Sequence, residues 1–447
     1  MPRTICRAAA LCLAAALLPG CSMLPGADVE SLLRAPRLSG ETSGVQQALN
    51  SHLGGVAALK YPSTGDFLSP FLFGDWDGDG AEEAAVLYTT ESSGTNVWLA
   101  ILEPDGEDWR VSQQIEGLSG EVESVNTAHL RDAESLQLLV GYDSPQGDRY
   151  MVVYLYNEDE TLQVVNQQAY TDMILADMTG SGDGIQDLIL ALPTETENGG
   201  IDLQLLTYTG EEASSFLAAQ TLAVGQGEYS GCAGLQTGTM PDGTHYLVLD
   251  GWAGTGGNAL ASSMITYDAQ AGFLQVYNPP QVTGFYRATL RYDVNLLSTD
   301  VNGDGTVDIP TEITDGGELS ASLENRLRYL LWRDFATQEG GNNIFGVYDS
   351  EYRFFLELPE SMHGNVMLRG NLGGDGWAVC NLSGTVTYCE LRVVDLNEEG
   401  AELSTEEGAA SFSRVANLGG KQLQARMVTE YYGLELDDII DGVTVLE

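Results

Sequence analysis

Three stretches of this chain repeat one order of apolar and polar positions: an apolar run, an acidic glycine-rich loop, and a second apolar run. They are FLFGDWDGDGAEEAAVLY from Phe71, MILADMTGSGDGIQDLILAL from Met173 and VNLLSTDVNGDGTVDIPTEI from Val294. Two weaker copies lie between them, SVNTAHLRDAESLQLLVGY from Ser124 and CAGLQTGTMPDGTHYLVL from Cys232. Most copies are followed by two more apolar runs joined by a polar turn, as in NVWLAILEPDGEDWRVSQQI. Short runs rich in Val, Leu, Tyr and Thr and bounded by glycine predict strands. The repeating unit is therefore four strands in about 50–65 residues, seen five times.

Four-stranded units at that period are the signature of propeller blades. The pattern predicts a mainly β chain, with a β-propeller of about five four-stranded blades over residues 65–348; six or seven blades are the alternatives. The repeat stops near Ser350. Residues 349–447 alternate strand signals with a short helical tail and predict a small α+β domain, with the acidic stretch 396–410 as a surface loop. Ahead of the repeats, residues 21–64 read as a tether and a short helix, with apolar residues at Val45, Ala48, Leu49 and Leu53 and a stop at Gly54-Gly55.

The first twenty residues are of another kind. Arg3 and Arg7 precede an uncharged Ala/Leu stretch from Ala8 to Gly20, too short for a membrane-spanning helix of roughly 20 apolar residues. It ends in Leu18-Pro19-Gly20-Cys21, which resembles the lipobox of bacterial lipoproteins. The resemblance implies cleavage after Gly20, diacylglycerol on Cys21, and a chain held by lipid on the extracytoplasmic side of a bacterial membrane. An ordinary signal peptide that happens to contain a cysteine is the other reading.

Charge narrows the partners. The formal net charge is −46, which argues against nucleic acid and anionic lipid, since both select basic surfaces. The hydrophobic share of 43% is that of a globular protein, so the acidity does not signify disorder. Cys6 and Cys12 leave with the signal, and Cys21 is the lipidation residue. Cys232, Cys380 and Cys389 are too few for a disulfide scaffold, although Cys380 and Cys389 flank a hairpin and could bond to each other.

The acidic loops carry the chemistry. Asp75, Asp77, Asp79 and Glu83 stand at relative positions 1, 3, 5 and 9; Asp300, Asn302, Asp304 and Asp308 repeat the spacing. Alternate oxygen side chains in a tight loop can converge on one centre, with glycine at position 6 permitting the turn. Hard oxygen ligands in this number suit Ca²⁺. The middle loop, with Asp177, Thr179, Ser181, Asp183 and Asp187, is two residues longer, and a third site is expected there. The interleaved copies carry His129 and Arg131, or Met240 and Pro241, in place of the carboxylates, and no metal is expected in them.

An EF-hand would need Glu at position 12, where Val86 and Thr311 stand, and a helix afterwards, where strands follow. The pattern instead resembles the FG-GAP and VCBS calcium loops of integrin-like β-propellers, in which the loop joins the first two strands of a blade. The resemblance covers residues from Asp66 to near Val347 and is specific at the loops.

For function, the four histidines are scattered, and no HExxH, nucleophile elbow or Cys–His pair is present. The chain reads as a cell-surface lipoprotein whose calcium-stabilised propeller binds a protein or glycan ligand. The alternative is an enzyme acting on polysaccharide or cell-wall material through carboxylates in the propeller channel or at the domain junction. Trp252 and Trp377, in glycine-rich loops, are candidates for sugar stacking, with packing their commoner fate.

Overall fold

The computed structural model describes residues 40–90, 94–193, 199–210, 217–337, 343–370, 375–396, 412–431 and 433–446. The expected signal peptide, Cys21 and the tether up to residue 39 lie outside the described residues. Helix α1 (Gly40–Leu53) comes first; Val45 and Leu49, one turn apart, are fully buried. It ends at Gly54, whose φ of +65° suits a residue without a Cβ.

Strand β1 (Ala58–Leu59) pairs with β3, and then the four-stranded units begin. Unit one is β2 (Phe71–Gly74), β3 (Glu83–Thr89), β4 (Trp98–Asp105) and β5 (Asp108–Glu116). Unit two is β6 (Glu121–Ala128), β7 (Gln137–Asp143), β8 (Arg149–Tyr156) and β9 (Leu162–Tyr170). Unit three is β10 (Asp172–Ala176), β11 (Asp187–Ala191), β12 (Ile201–Tyr208) and β13 (Leu217–Val224). Unit four is β14 (Tyr229–Thr239), β15 (His245–Ala253), β16 (Ala259–Asp268) and β17 (Phe273–Tyr277). After the short helix α2 (Phe285–Ala288), β18 (Asp308–Glu312) opens unit five. Strand β19 (Glu318–Leu319) leaves that sheet, and β20 (Leu327–Asp334), β21 (Ile344–Asp349) and β22 (Phe354–Glu357) complete it. Every pairing within the five units is antiparallel between neighbours in the sheet. The chain is mainly β, with several four-stranded antiparallel sheets.

A sixth sheet follows. It contains β23 (Val366–Gly370), β24 (Trp377–Asn381), β25 (Thr387–Asp395), β26 (Ser413–Leu418) and β27 (Lys421–Met427), with β19 parallel to β23 at one edge and β26 at the other. Helix α3 (Leu436–Asp441) leads into β28 (Val443–Val445), which pairs with β22. Strand pairing therefore runs across position 349 in both directions, and one core joins the fifth and sixth sheets, with Phe345, Val347 and Leu356 against Leu368, Val379 and Leu423.

Successive sheets pack face to face. In β11, Leu188 and Leu190 face unit two, while Ile189 and Ala191 face unit four. A strand covered on both faces needs apolar residues at every position, which is why the second strand in units one to four carries a continuous apolar run. The first sheet follows the same rule with a different neighbour. Ala85 and Leu87 pack on unit two, and Ala84 and Val86 pack on α1.

Cys380 and Cys389 are free thiols, which corrects the suggested disulfide. Cys389 lies opposite Val379 and faces the core, whereas Cys380 lies opposite Thr387 and projects from the other face of the sheet. Neighbouring residues of one strand point to opposite sides, so these sulfurs cannot meet. No helix among the described residues is long and apolar enough to cross a membrane.

Candidate metal loops

The acidic loops of units one and three join the first two strands, loop five runs from the bridge at Thr299 into β18, and each is folded by its own carboxylates. In loop one, Asp75 Oδ1 accepts from Gly78 N at 2.6 Å and Oδ2 from Gly80 N at 2.9 Å. In loop five, Asp300 accepts from Gly303 N at 2.7 Å and Gly305 N at 2.8 Å. In loop three, Asp177 accepts from Ser181 N at 2.9 Å and Gly182 N at 2.8 Å. The residue five places after the leading aspartate is thus the same donor in all three loops. Gly80 and Gly305 have φ near +87° and +86°, where a Cβ would strain the backbone.

The carboxylate that closes each loop is the first residue of the strand that follows it, β3, β11 or β18, and is buried. Glu83 accepts from Trp76 N at 2.9 Å, Asp187 from Thr179 N at 2.9 Å and Asp308 from Val301 N at 3.2 Å. Burial, then the neighbouring carboxylates, push Glu83 up to about 7. Burial likewise pushes Asp308 up to about 7 and raises Asp187 and Asp77. The exposed Asp183 and Asp304 move the other way, held low by the hydroxyls of Ser181 and Thr306.

Oxygens of Asp75, Asp77 and Glu83 lie within 4.8 Å of one another. In loop five, Asp308 Oδ1 is buried with no hydrogen-bond partner. A carboxylate oxygen left bare inside a protein is costly, and a cation is the group that would satisfy it. The donor set, all hard oxygen, fits calcium. Asp79 and Asn302 complete the ladder at the mouths of the loops: Asp79 accepts from Ala81 N, and Asn302 bonds to Asp304. Among the described residues, Asp75, Asp77 and Glu83 are the expected ligands that gather as a group of three or more acidic side chains.

Loop two has no carboxylate at the closing position, although Asp132 folds its turn by accepting from Ser135 N at 2.7 Å. Gln137, fully buried, replaces Glu83: its Oε1 accepts from Leu130 N at 2.7 Å and Arg131 N at 3.0 Å. Arg131 supplies positive charge, bonding Asp132 through Nε and reaching Asp77 O of loop one through Nη2 at 3.1 Å. Loop four is a plain tight turn, Met240 N to Thr244 O at 2.8 Å.

A second recurring feature has no signature in the acidic pattern. Each loop buries one apolar residue: Trp76 between units one and two, Leu130 between two and three, Met178 between three and four, and Met240 between four and five. Val301 packs partly buried beside Trp332 of unit five. Neighbouring loops are also tied by backbone bonds, Leu136 N to Asp75 O at 2.9 Å and Gln186 N to His129 O at 2.7 Å. The loops form one continuous edge, and the burial of the apolar residues couples their conformation to packing between units.

Of the sugar-stacking candidates, Trp377 is buried and donates to Asp349, which removes it; Trp252 is half-buried and donates to Cys232 O at 2.9 Å. His129 bonds Ser135 O, His245 bonds Thr239 and His363 stacks on Phe345, in three separate places. Sequence reasoning also missed a fully buried ion pair, Arg291 to Asp250 at 2.8 Å, which staples the connection between units four and five.

No family model matches the chain, and no curated protein matches it. Among solved structures, a hypothetical protein from Leishmania major is 13% identical, covering 61% of this chain and 91% of its own, with a TM-score of 0.23. The C-terminal domain of PilY1 from Pseudomonas aeruginosa is 12% identical, covering 72% of this chain and 84% of its own, with a TM-score of 0.27. TM-scores this low carry no argument about fold or chemistry.

Proposed function

We propose that this chain is an extracytoplasmic lipoprotein, anchored through Cys21, whose blade-like units form a calcium-stabilised binding module of the FG-GAP and VCBS type. The five four-stranded units are read as propeller-type blades stacked face to face, with α1 on the outer face of the first. Calcium sits in loop one on Asp75, Asp77, Asp79 and Glu83, and in loop five on Asp300, Asn302, Asp304 and Asp308. A third ion sits in loop three among Asp177, Thr179, Ser181, Asp183 and Asp187. Its role is structural, because the ion binds the folded loop and not the unfolded chain.

The observation that carries this reading is the closing carboxylate. It is buried three times over, and at Asp308 one of its oxygens has no hydrogen-bond partner, while loop two puts the neutral Gln137 in its place. A bare buried carboxylate oxygen goes with a cation site. Equilibrium dialysis at about millimolar calcium, the range of extracellular modules, tests it. Three bound ions are expected, and one fewer for Asp308→Asn; a stoichiometry of zero ends the proposal. The anchor is tested apart from the metal: Cys21→Ser should release the protein from the membrane fraction.

A further inference from the structure

The outer face of the sixth sheet differs from the rest of this acidic protein. Residues that alternate with its core positions place Arg369 on β23, Glu390 and Arg392 on β25, Arg426 on β27 and Arg414 on β26 on one side. Four arginines and one carboxylate share a face in a chain of net charge −46. Glu390 shows how the face takes a carboxylate: Arg426 converges on its Oε2 with Nε at 2.8 Å and Nη2 at 2.7 Å, two donors that a lysine could not present from one plane. Arg392 and Arg426 both stack on the Phe412 ring, at 3.9 and 4.6 Å, which fixes their planes. Arg392 donates through Nε to Gln424, while its Nη2 is buried without a hydrogen-bond partner. Arg414 is exposed and has no ion pair among the described residues. Burial and the charge of Arg426 both lower the pKa of Arg392, so an anion there would be welcome. Among the described residues, strand β26 is also the edge of the sheet, paired on one side with β27.

We propose that this face and its β26 edge bind a short acidic peptide segment of a partner protein. Main-chain groups of β26 would take the extended strand, and the exposed Arg414 would take its Asp or Glu side chains, with the half-buried charge of Arg392 behind it adding to the attraction. A short segment suits the site better than a long polyanion, which the negative charge of the whole molecule would repel beyond a Debye length of about 10 Å at 0.1 M salt. This deepens the binding-module reading by naming a surface and a partner chemistry, and it does not depend on the calcium sites.

The test is fluorescence anisotropy of a labelled hexaglutamate peptide with the full chain in calcium-containing buffer, the fold of each variant being checked by circular dichroism. Saturable binding is expected, weakened tenfold or more in Arg414→Gln and partly kept in Arg414→Lys. Arg414 is exposed, so this variant folds even if Arg392→Gln does not. The proposal is overturned if the peptide does not bind, or binds Arg414→Gln equally. It is also overturned if the peptide binds only after Glu398, Glu399, Glu402, Glu406 and Glu407 are changed to Gln, which would give the face to the chain's own acidic segment. Preference for an acidic oligosaccharide over the peptide would overturn the partner class.

Discussion

Loops one and two sit side by side on the same edge and share a hydrogen bond: the amide at position 2, of Trp76 or Leu130, donates to the side chain at position 9, Glu83 or Gln137. They differ in charge. Loop one gathers Asp75, Asp77 and Glu83 within 4.8 Å, and loop two has a neutral amide, Gln137, beside the ion pair of Arg131 with Asp132. One backbone framework thus has two electrostatic solutions, a cation from solution or a cation from the chain. The two meet where Arg131 bonds Asp77 O.

The largest effect expected from that contrast is chelation. One site saturated at a hundred times its Kd adds about 2.7 kcal/mol, so stripping three sites should lower the melting temperature by many degrees; an unchanged melting temperature with and without EDTA removes calcium from the account. The pH dependence carries a sign. In metal-free protein Glu83 and Asp308 rise to about 7, so the folded state holds those protons more tightly than the unfolded chain. Their contribution to stability is then fully present below the ordinary carboxylate range and is lost as pH rises through 7. Calcium demands the ionised form, so the stabilisation by calcium grows over the same window. Melting curves from pH 4.5 to 8 should show the gap between calcium-loaded and metal-free protein widening upward. A gap that narrows would contradict the assignment, and comparison with Glu83→Gln separates the site from general acidic repulsion.

Next in size is Trp76→Ala. The ring is buried between units one and two, and losing it should cost about 3–5 kcal/mol, with or without calcium. A loss much larger in calcium than in chelator would mean that the ring acts chiefly through the ion site. The prediction rests on a residue whose role the sequence concealed. Oxygens at positions 1, 3, 5 and 9 are legible because the period itself is the chemistry. A lone apolar residue inside an acidic loop has no period to betray it. Gln137 was hidden because its equivalence to Glu83 appears only when both side chains meet the same amide. The pairing of β28 with β22 joins residues some ninety positions apart in sequence, which local pattern cannot foresee. What was legible was the repetition: five sets of strands, and the apolar runs that two-sided burial demands.

Exchanging the ninth residue tests the contrast itself. Glu83→Gln should remove the calcium response of loop one while leaving the metal-free protein as stable or more so, since a buried carboxylate is lost and the amide can still accept from Trp76 N. Gln137→Glu should cost about 1–3 kcal/mol in calcium and in chelator alike, because it buries a charge where Arg131 already points to Asp132 and Asp77. Differential calorimetry of both variants with and without calcium decides it. If Gln137→Glu gains a calcium response, Arg131 is not the substitute cation described here.

The smallest effect lies at position 6. Gly80 has φ +87° and an added Cβ would meet nothing within 4 Å, so Gly80→Ala isolates backbone strain from crowding. The cost should be about 1–2 kcal/mol, the penalty of the left-handed region for a residue with a Cβ. The same position of loop two holds Glu134, an ordinary exposed residue, so Glu134→Ala should change stability by less than about 0.5 kcal/mol. The pair shows what the acidic loop demands of its backbone. Asp75 Oδ2 accepts from Gly80 N only because the chain turns sharply enough there, and that turn brings Asp75 within reach of Asp77 and Glu83. Strain at Gly80 should therefore weaken calcium binding at loop one as well as stability, whereas Glu134→Ala should leave the calcium titration unmoved. Equal calcium affinity for Gly80→Ala and the unaltered protein would show that the loop reaches its ligand geometry without the left-handed turn.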